Sequence, residues 1–248
     1  MVSYRRPNFP VVTFRDSAGA IIDYGRRWRD RQGRMPPEET YSVVTHPERF
    51  APLHPVADAL IEYLTKRYEA TASDDLTFVA DLMSGHHDVR RAVRVEPAST
   101  DAAPLTFVYT NEPGVLLHTG LLHDFPFPDC GCDACDETAD VAADELEEIV
   151  MAVAEGRYQE TYDGGDERPL PPGRWAAWPG PASTVHDTTP PRRLPGPWAG
   201  YRIVAPDGSF RRRGEGAFRG YPAERLETAK TRLNRLDNGW QPWQLRRT

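Results

Sequence analysis

Val89-Arg90-Arg91-Ala92-Val93-Arg94-Val95-Glu96, Leu105-Thr106-Phe107-Val108-Tyr109-Thr110 and Val115-Leu116-Leu117-His118-Thr119-Gly120-Leu121-Leu122-His123 stand close together in the chain. In the first run Val93 and Val95 alternate with Arg94, the period-two pattern of a half-buried strand. Asn111-Glu112-Pro113-Gly114 separates the second and third runs, with Pro and Gly supplying the dihedrals of a tight turn. The three runs read as an antiparallel meander with strands at 89–96, 105–110 and 115–123. Working outward, residues 139–155 form an amphipathic helix: Ala142, Leu146, Ile149, Val150 and Val153 share one face, and Asp140, Asp144, Glu145, Glu147 and Glu148 the other. Upstream, Val56, Ala59, Leu60, Tyr63 and Leu64 fall on one stripe of a helix at 55–69, whose Pro55 sits in the first turn, where its missing N–H is harmless. A shorter helix is expected at 76–83. Nearer the start, Val11-Val12-Thr13-Phe14 and Ala20-Ile21-Ile22-Asp23-Tyr24 flank Asp16-Ser17-Ala18-Gly19, a hairpin signal.

The fold class is therefore α+β: an antiparallel β-meander packed by two main helices. Beyond it, residues 169–197 contain nine prolines in twenty-nine positions, which predicts a stiff, extended connector with Trp175, Trp178 and Trp198 pinning it to the surface. Residues 201–204 and 209–213 around Pro206-Asp207-Gly208 predict a second hairpin, followed by a helix at 223–236 and by Trp240 and Trp243. The organisation read from this is a main α+β domain at 1–168, a Pro-rich connector at 169–199, and a basic hairpin-helix appendage at 200–248. A unit this short is marginal by itself, so it is expected to dock on the main domain.

Composition sets limits. The 248 residues are 39% hydrophobic and 27% charged, enough apolar material for a core, which excludes wholesale disorder. No run approaches eighteen apolar residues, so no membrane span is expected. The opening Met1-Val2-Ser3-Tyr4-Arg5-Arg6-Pro7 has no apolar stretch, which predicts a cytoplasmic protein. The net charge of -7 argues against general nucleic-acid binding. Charge is nonetheless polarised. Residues 119–167 hold fifteen acids against Arg157 alone, whereas residues 191–248 hold thirteen bases against five acids. The simplest expectation is that the two segments attract each other, the acidic helix face docking Arg211-Arg212-Arg213. A protein or anionic partner for the basic C-terminal unit is the alternative.

All three cysteines fall in Cys130-Gly131-Cys132-Asp133-Ala134-Cys135. In a cytosolic protein such clustering points to metal or redox chemistry rather than a structural disulfide. Zinc takes four tetrahedral nitrogen or sulfur ligands, and one turn can supply several. Cys130, Cys132 and Cys135 are the candidate sulfur ligands and His123 the nearest candidate for the fourth position. His118 lies an odd number of positions from His123 on the same expected strand, so the two should face opposite ways. Asp124, Asp129, Asp133, Asp136 and Glu137 surround the cluster, and their negative field opposes a bare thiolate while favouring a bound cation. A free thiol cluster, a Cys132-x-x-Cys135 dithiol, and iron–sulfur or copper ligation remain open alternatives.

Val44-Thr45-His46-Pro47-Glu48-Arg49-Phe50-Ala51-Pro52-Leu53-His54, then Leu116 to Thr119 leading into Gly120-Leu121-Leu122-His123-Asp124-Phe125-Pro126-Phe127-Pro128, then Cys130 to Glu137 together resemble an uncharacterised bacterial domain family, a domain of unknown function carrying the same HDFPFP and CGCDACDE blocks. The likeness spans roughly residues 10–165. It implies that the cysteine block is a family feature, and it supplies no catalytic residues. Gly85-His86-His87-Asp88 with His123-Asp124 is similar to the paired His-Asp steps of helical phosphohydrolases, but His123-Asp124 belongs to an expected strand. Zinc deaminases need a His-x-Glu element that is missing after both His118 and His123. No nucleophile elbow, phosphate-binding loop or dinucleotide fingerprint occurs. Two function classes result: a binding or interaction protein with a structural zinc knuckle, and a metal-dependent enzyme of unknown reaction using the cysteine cluster, with Asp124 or Glu137 as its acid/base.

Overall fold

Strand alternation, turn chemistry and one glycine account for the central sheet. The computed structural model describes residues 2–29, 35–83, 88–164, 167–169, 193–195, 197–217 and 221–247. A short hairpin comes first, β1 (Phe14–Arg15) pairing with β2 (Ile21–Ile22), its turn closed by Asp16, whose carboxylate accepts the Ala18 and Ala20 amides. Helix α1 (Leu53–Arg67) buries Leu53, Val56, Ala57, Leu60, Ile61 and Leu64, a stripe rotated slightly from the expected one. It leads into β3 (Ala70–Asp74), a strand without a clear hydrophobic signal because all but Ala70 are exposed. The expected helix at 76–83 is a 3-10 turn, Leu76–Asp81, capped by the Asp75 carboxylate on the Thr77 amide and ended when Leu82 becomes extended.

The meander follows as β4 (Val89–Pro97), β5 (Leu105–Thr110), β6 (Gly114–Thr119) and β7 (His123–Phe127), in the antiparallel order β3-β4-β5-β6-β7. The single strand expected at 115–123 is thus two. Gly120 adopts φ +64°, a left-handed conformation that side-chain-bearing residues resist, and the chain reverses there. The amides of Leu121 and Leu122, which a continuous strand would offer to a neighbour, are instead accepted by the Glu160 carboxylate. His118 therefore pairs with Asp124, and Thr119 with His123. His118 and His123 do face opposite ways, by virtue of the register of two strands rather than parity along one.

Inward, the register rows Val93-Phe107-Leu117-Phe125 and Tyr109-Val115-Phe127 join α1 and α2 (Ala139–Ala154) in one core. Helix α2 buries Ala142, Leu146, Ile149, Val150 and Val153, the expected face, and starts at Thr138, whose hydroxyl accepts the Val141 amide. Outward, β5 and β6 are also largely covered, so the middle of the sheet is buried on both faces while β3 at its edge stays exposed.

The outer cover comes from the 3-10 turn, whose Phe78, Val79 and the following Leu82 pack on Ala92, Val108 and Leu116, and from the C-terminal helix, while the C-terminal sheet joins the inner core through Tyr158 and Ile203. Strand β8 (Tyr158–Asp163) leaves α2; β9 (Glu167–Pro169) pairs with β10 (Arg193–Pro195); and β11 (Trp198–Val204) pairs on one side with β8 and on the other with β12 (Phe210–Ala217). The expected hairpin thus completes a three-stranded sheet, β12-β11-β8, whose edge strand precedes the proline-rich stretch. Most of that connector, with Trp175 and Trp178, lies outside the described residues; Trp198 is buried at the start of β11. Helix α3 (Ala223–Leu233) packs Leu226 and Ala229 against Met83, Leu122 and Ala199. Trp240 and Trp243 enter the main core, Trp243 through its backbone amide on Ala154 and its indole N–H on the Ala103 carbonyl.

The opposed charges meet as expected. Arg211 donates to Glu148, and Arg212 to Glu145 at 3.1 Å. Arg6 adds a second clamp on Glu147 at 2.6 Å and on Asp144. These are exposed or half-exposed pairs, each contributing about 0–1 kcal/mol; they orient the hairpin more than they stabilise it. Among the described residues no helix is long and apolar enough to cross a membrane.

Candidate metal centre and the networks around it

After β7, at the end of the sheet, the chain turns through the cysteine loop. Its acids are organised around backbone amides. Glu137 accepts the amides of Asp129 and Cys130 at 3.2 and 3.0 Å. Asp136, held at φ +54°, accepts the Arg27 amide at 2.9 Å. Buried Asp133 accepts the Thr45 amide and hydroxyl and lies 3.5 Å from the Arg27 guanidinium. Arg49, itself buried, donates to the carbonyls of His46 and Gly131. The N-terminal segment is stitched on by the Asp133 amide to Val43 and the Ala134 amide to Thr40. The acidity read from the sequence as a diffuse field is therefore largely architectural.

The three sulfurs converge. Sγ atoms of Cys130, Cys132 and Cys135 all lie within 4.8 Å of one another, with Cys130 and Cys132 at 3.3 Å. Tetrahedral zinc with thiolates at about 2.3 Å sets its sulfurs about 3.8 Å apart, so the three residues are close enough to hold a metal ion. Exposure rises from Cys132, buried, through Cys130 to exposed Cys135. Burial pushes the Cys132 thiol up, but hydrogen bonds from the Cys135 amide, the neighbouring thiols and the Ser42 amide outweigh it and bring it down to about 7. Cys135 is pushed up to about 12, chiefly by its hydrogen bond with Cys130 and by burial. Cys132 is thus the most readily ionised of the three, and ionisation of Cys135 beside it is opposed.

His123 is not brought to the sulfurs. It starts β7, whereas the cysteines follow that strand's far end, and its Nδ1 is 2.9 Å from Glu160 Oε1 and 3.1 Å from the Tyr158 hydroxyl. It belongs to a buried network centred on Glu160, which also accepts the Trp240 indole N–H at 2.9 Å. Burial pushes the Glu160 carboxyl up, but His123 and Trp240 hold it below the usual carboxylate range. A fully buried carboxylate takes partners, and His123 is one of them here. Among the described residues no fourth His, Asp, Glu or Cys joins the three sulfurs. His86 and His87 lie outside the described residues; Asp88 accepts from the Asn111 amide group at 2.6 Å.

Asp124, an expected acid/base, is directed elsewhere: its Oδ1 is 2.7 Å from His118 Nδ1 and its Oδ2 accepts the Met83 amide. This His–Asp pair and Glu160 were not singled out by sequence reasoning; the only signal for the pair is its register across the turn at Gly120. No curated protein and no solved structure matches the chain. The resemblance noted over residues 10–165 extends across the C-terminal sheet, α3 and the terminal tryptophans, for the match runs over residues 10–247, and on that evidence the chain belongs to a family of unknown function (DUF6226).

Proposed function

We propose that the protein is a binding module whose cysteine loop is held by zinc on Cys130, Cys132 and Cys135. The observation that carries the reading is the convergence of three sulfurs within 4.8 Å on a loop without regular secondary structure, held by hydrogen bonds and by the Arg27–Asp133 ion pair. A bound zinc ion would supply a cross-link there and contribute folding free energy. The partner surface in this reading is the basic hairpin, where Arg202 and Arg213 are exposed register partners on β11 and β12 and form no ion pair among the described residues; an anionic protein surface suits them. The place of action is the cytoplasm, where reduced thiols persist.

One observation favours a reactive metal instead. Asp136 Oδ1 is buried with no hydrogen-bond partner among the described residues, burial raises its carboxyl, and it lines the same groove as Cys130 and Cys135. In that reading the metal keeps an open position and Asp136 carries the proton.

Elemental and native mass spectrometry on chain purified without nickel resin, beside Cys132→Ser, separates the readings. One zinc per chain, lost in the variant together with a lowered thermal midpoint, supports the structural knuckle. Zinc lost with the midpoint unchanged supports the reactive site. Three freely alkylated thiols and no metal refute both.

A further inference from the structure

The outer face of the meander carries a polar row that is roofed rather than open. Arg94, Thr106, His118 and Asp124 are consecutive register partners across β4, β5, β6 and β7, so their side chains share that face. Above them stand the 3-10 turn Leu76–Asp81 and α3, and between roof and row is a cavity of about 490 Å³. His118 lines it, with a side chain only 5% exposed. Its Nδ1 is held by Asp124, which is itself fixed by the Met83 amide. Among the described residues no hydrogen bond reaches the His118 Nε2. In the neutral ring whose Nδ1 proton Asp124 accepts, Nε2 is an acceptor that an N–H or O–H donor completes.

The charges of the cavity choose between donors. Its two guanidiniums are engaged: Arg94 binds Asp81 through two nitrogens, and Arg225 caps the carbonyls of Ala80, Asp81 and Leu82. The Asp81 carboxylate, which also takes the Thr106 hydroxyl, is neutralised by Arg94. Glu96 and Glu224 are exposed at the cavity wall and make no ion pair among the described residues. Arg225, bonded to neutral carbonyls, keeps its charge and offsets one glutamate, so Glu96 and Glu224 leave the mouth with a net negative charge above the His118 ring nitrogen, with Pro104, Leu121 and Ala229 as apolar wall. We infer that this cavity is a binding site for a small organic amine, whose N–H is accepted by His118 Nε2 and whose positive charge is drawn in by Glu96 and Glu224. The site is built by different residues from the cysteine cluster and is independent of whether zinc binds there.

The test is titration of the full chain with putrescine, with 1,4-butanediol as the uncharged analogue and inorganic phosphate as the anion, at constant ionic strength. The readout is the ring resonance of His118 in proton–carbon correlation spectra, assigned by its disappearance in His118→Asn. Putrescine is expected to shift that resonance saturably, and the diol and phosphate to leave it in place. Glu96→Gln with Glu224→Gln, both exposed positions, is expected to weaken binding about five- to tenfold with an unchanged thermal midpoint, which keeps the test intact should His118→Asn not fold. A shift by phosphate, an equal shift by the diol, an undiminished putrescine shift in the double variant, or no shift by any probe would each overturn the inference.

Discussion

Replacing Glu160 by glutamine is the sharpest probe of how this fold is held. The carboxylate is fully buried and accepts from the Leu121 and Leu122 amides, His123 and the Trp240 indole at 2.9–3.1 Å. Glutamine keeps the shape but turns one acceptor into a donor. If the new amide group takes the Oε2 side, the Trp240 N–H is orphaned; on the Oε1 side the Leu122 N–H is. An orphaned buried donor costs about 1–3 kcal/mol, with the upper end or more where the lost acceptor is charged, and breaking up a buried carboxylate network costs about 3–5 kcal/mol in all. We therefore expect Glu160→Gln to lose about 3–5 kcal/mol of unfolding free energy at neutral pH, measured by urea titration with circular dichroism and Trp fluorescence. Glu160 is held below its unfolded value, so its stabilisation is complete above the ordinary glutamate range and disappears as pH falls through the lower folded value. The gap between wild type and variant should accordingly narrow on acidification. A loss under about 1 kcal/mol, or a gap that widens in acid, would refute the assignment of Glu160 as the organising group.

Gly120→Ala should cost about 2–4 kcal/mol, because a Cβ there would clash with Glu160 Oε2 on a backbone at φ +64°; in a Glu160→Ala background the steric part should vanish, and simple additivity in that double-mutant cycle would contradict the contact. Trp243→Ala removes a 3% exposed indole, its hydrogen bond to Ala103 and an edge contact with Tyr68; we expect a loss of about 3–5 kcal/mol in the main unfolding transition, and a separate early transition instead would mean that the C-terminal segment is not part of the core.

The positions of both main helices and of β4 were legible in the chain because burial writes its period locally, two for a strand and near 3.6 for a helix; the first hairpin was marked by its turn, Asp16-Ser17-Ala18-Gly19, and not by burial. The clustering of Cys130, Cys132 and Cys135 was equally legible, since residues so near in sequence meet in a single turn. The acidic face of α2 announced its own complement, and Arg211 and Arg212 supply it, because opposite charge needs no geometry beyond proximity. The break at Gly120 was not legible. A glycine in a hydrophobic run fits a strand as well as a turn, and the decision lies with Glu160, which reaches the amides of Leu121 and Leu122 from another strand. The same group holds His123, which the sequence offered beside the three sulfurs. His118 and Asp124 look unrelated in sequence and become a pair only once that turn sets the register. The sequence by itself determined the two main helices, most of the meander and that three sulfurs gather; the tertiary structure decided the strands Ala70–Asp74 and Tyr158–Asp163, the break at Gly120 and which polar groups partner one another, because a buried polar or charged group takes the partner that distant chain segments bring to it.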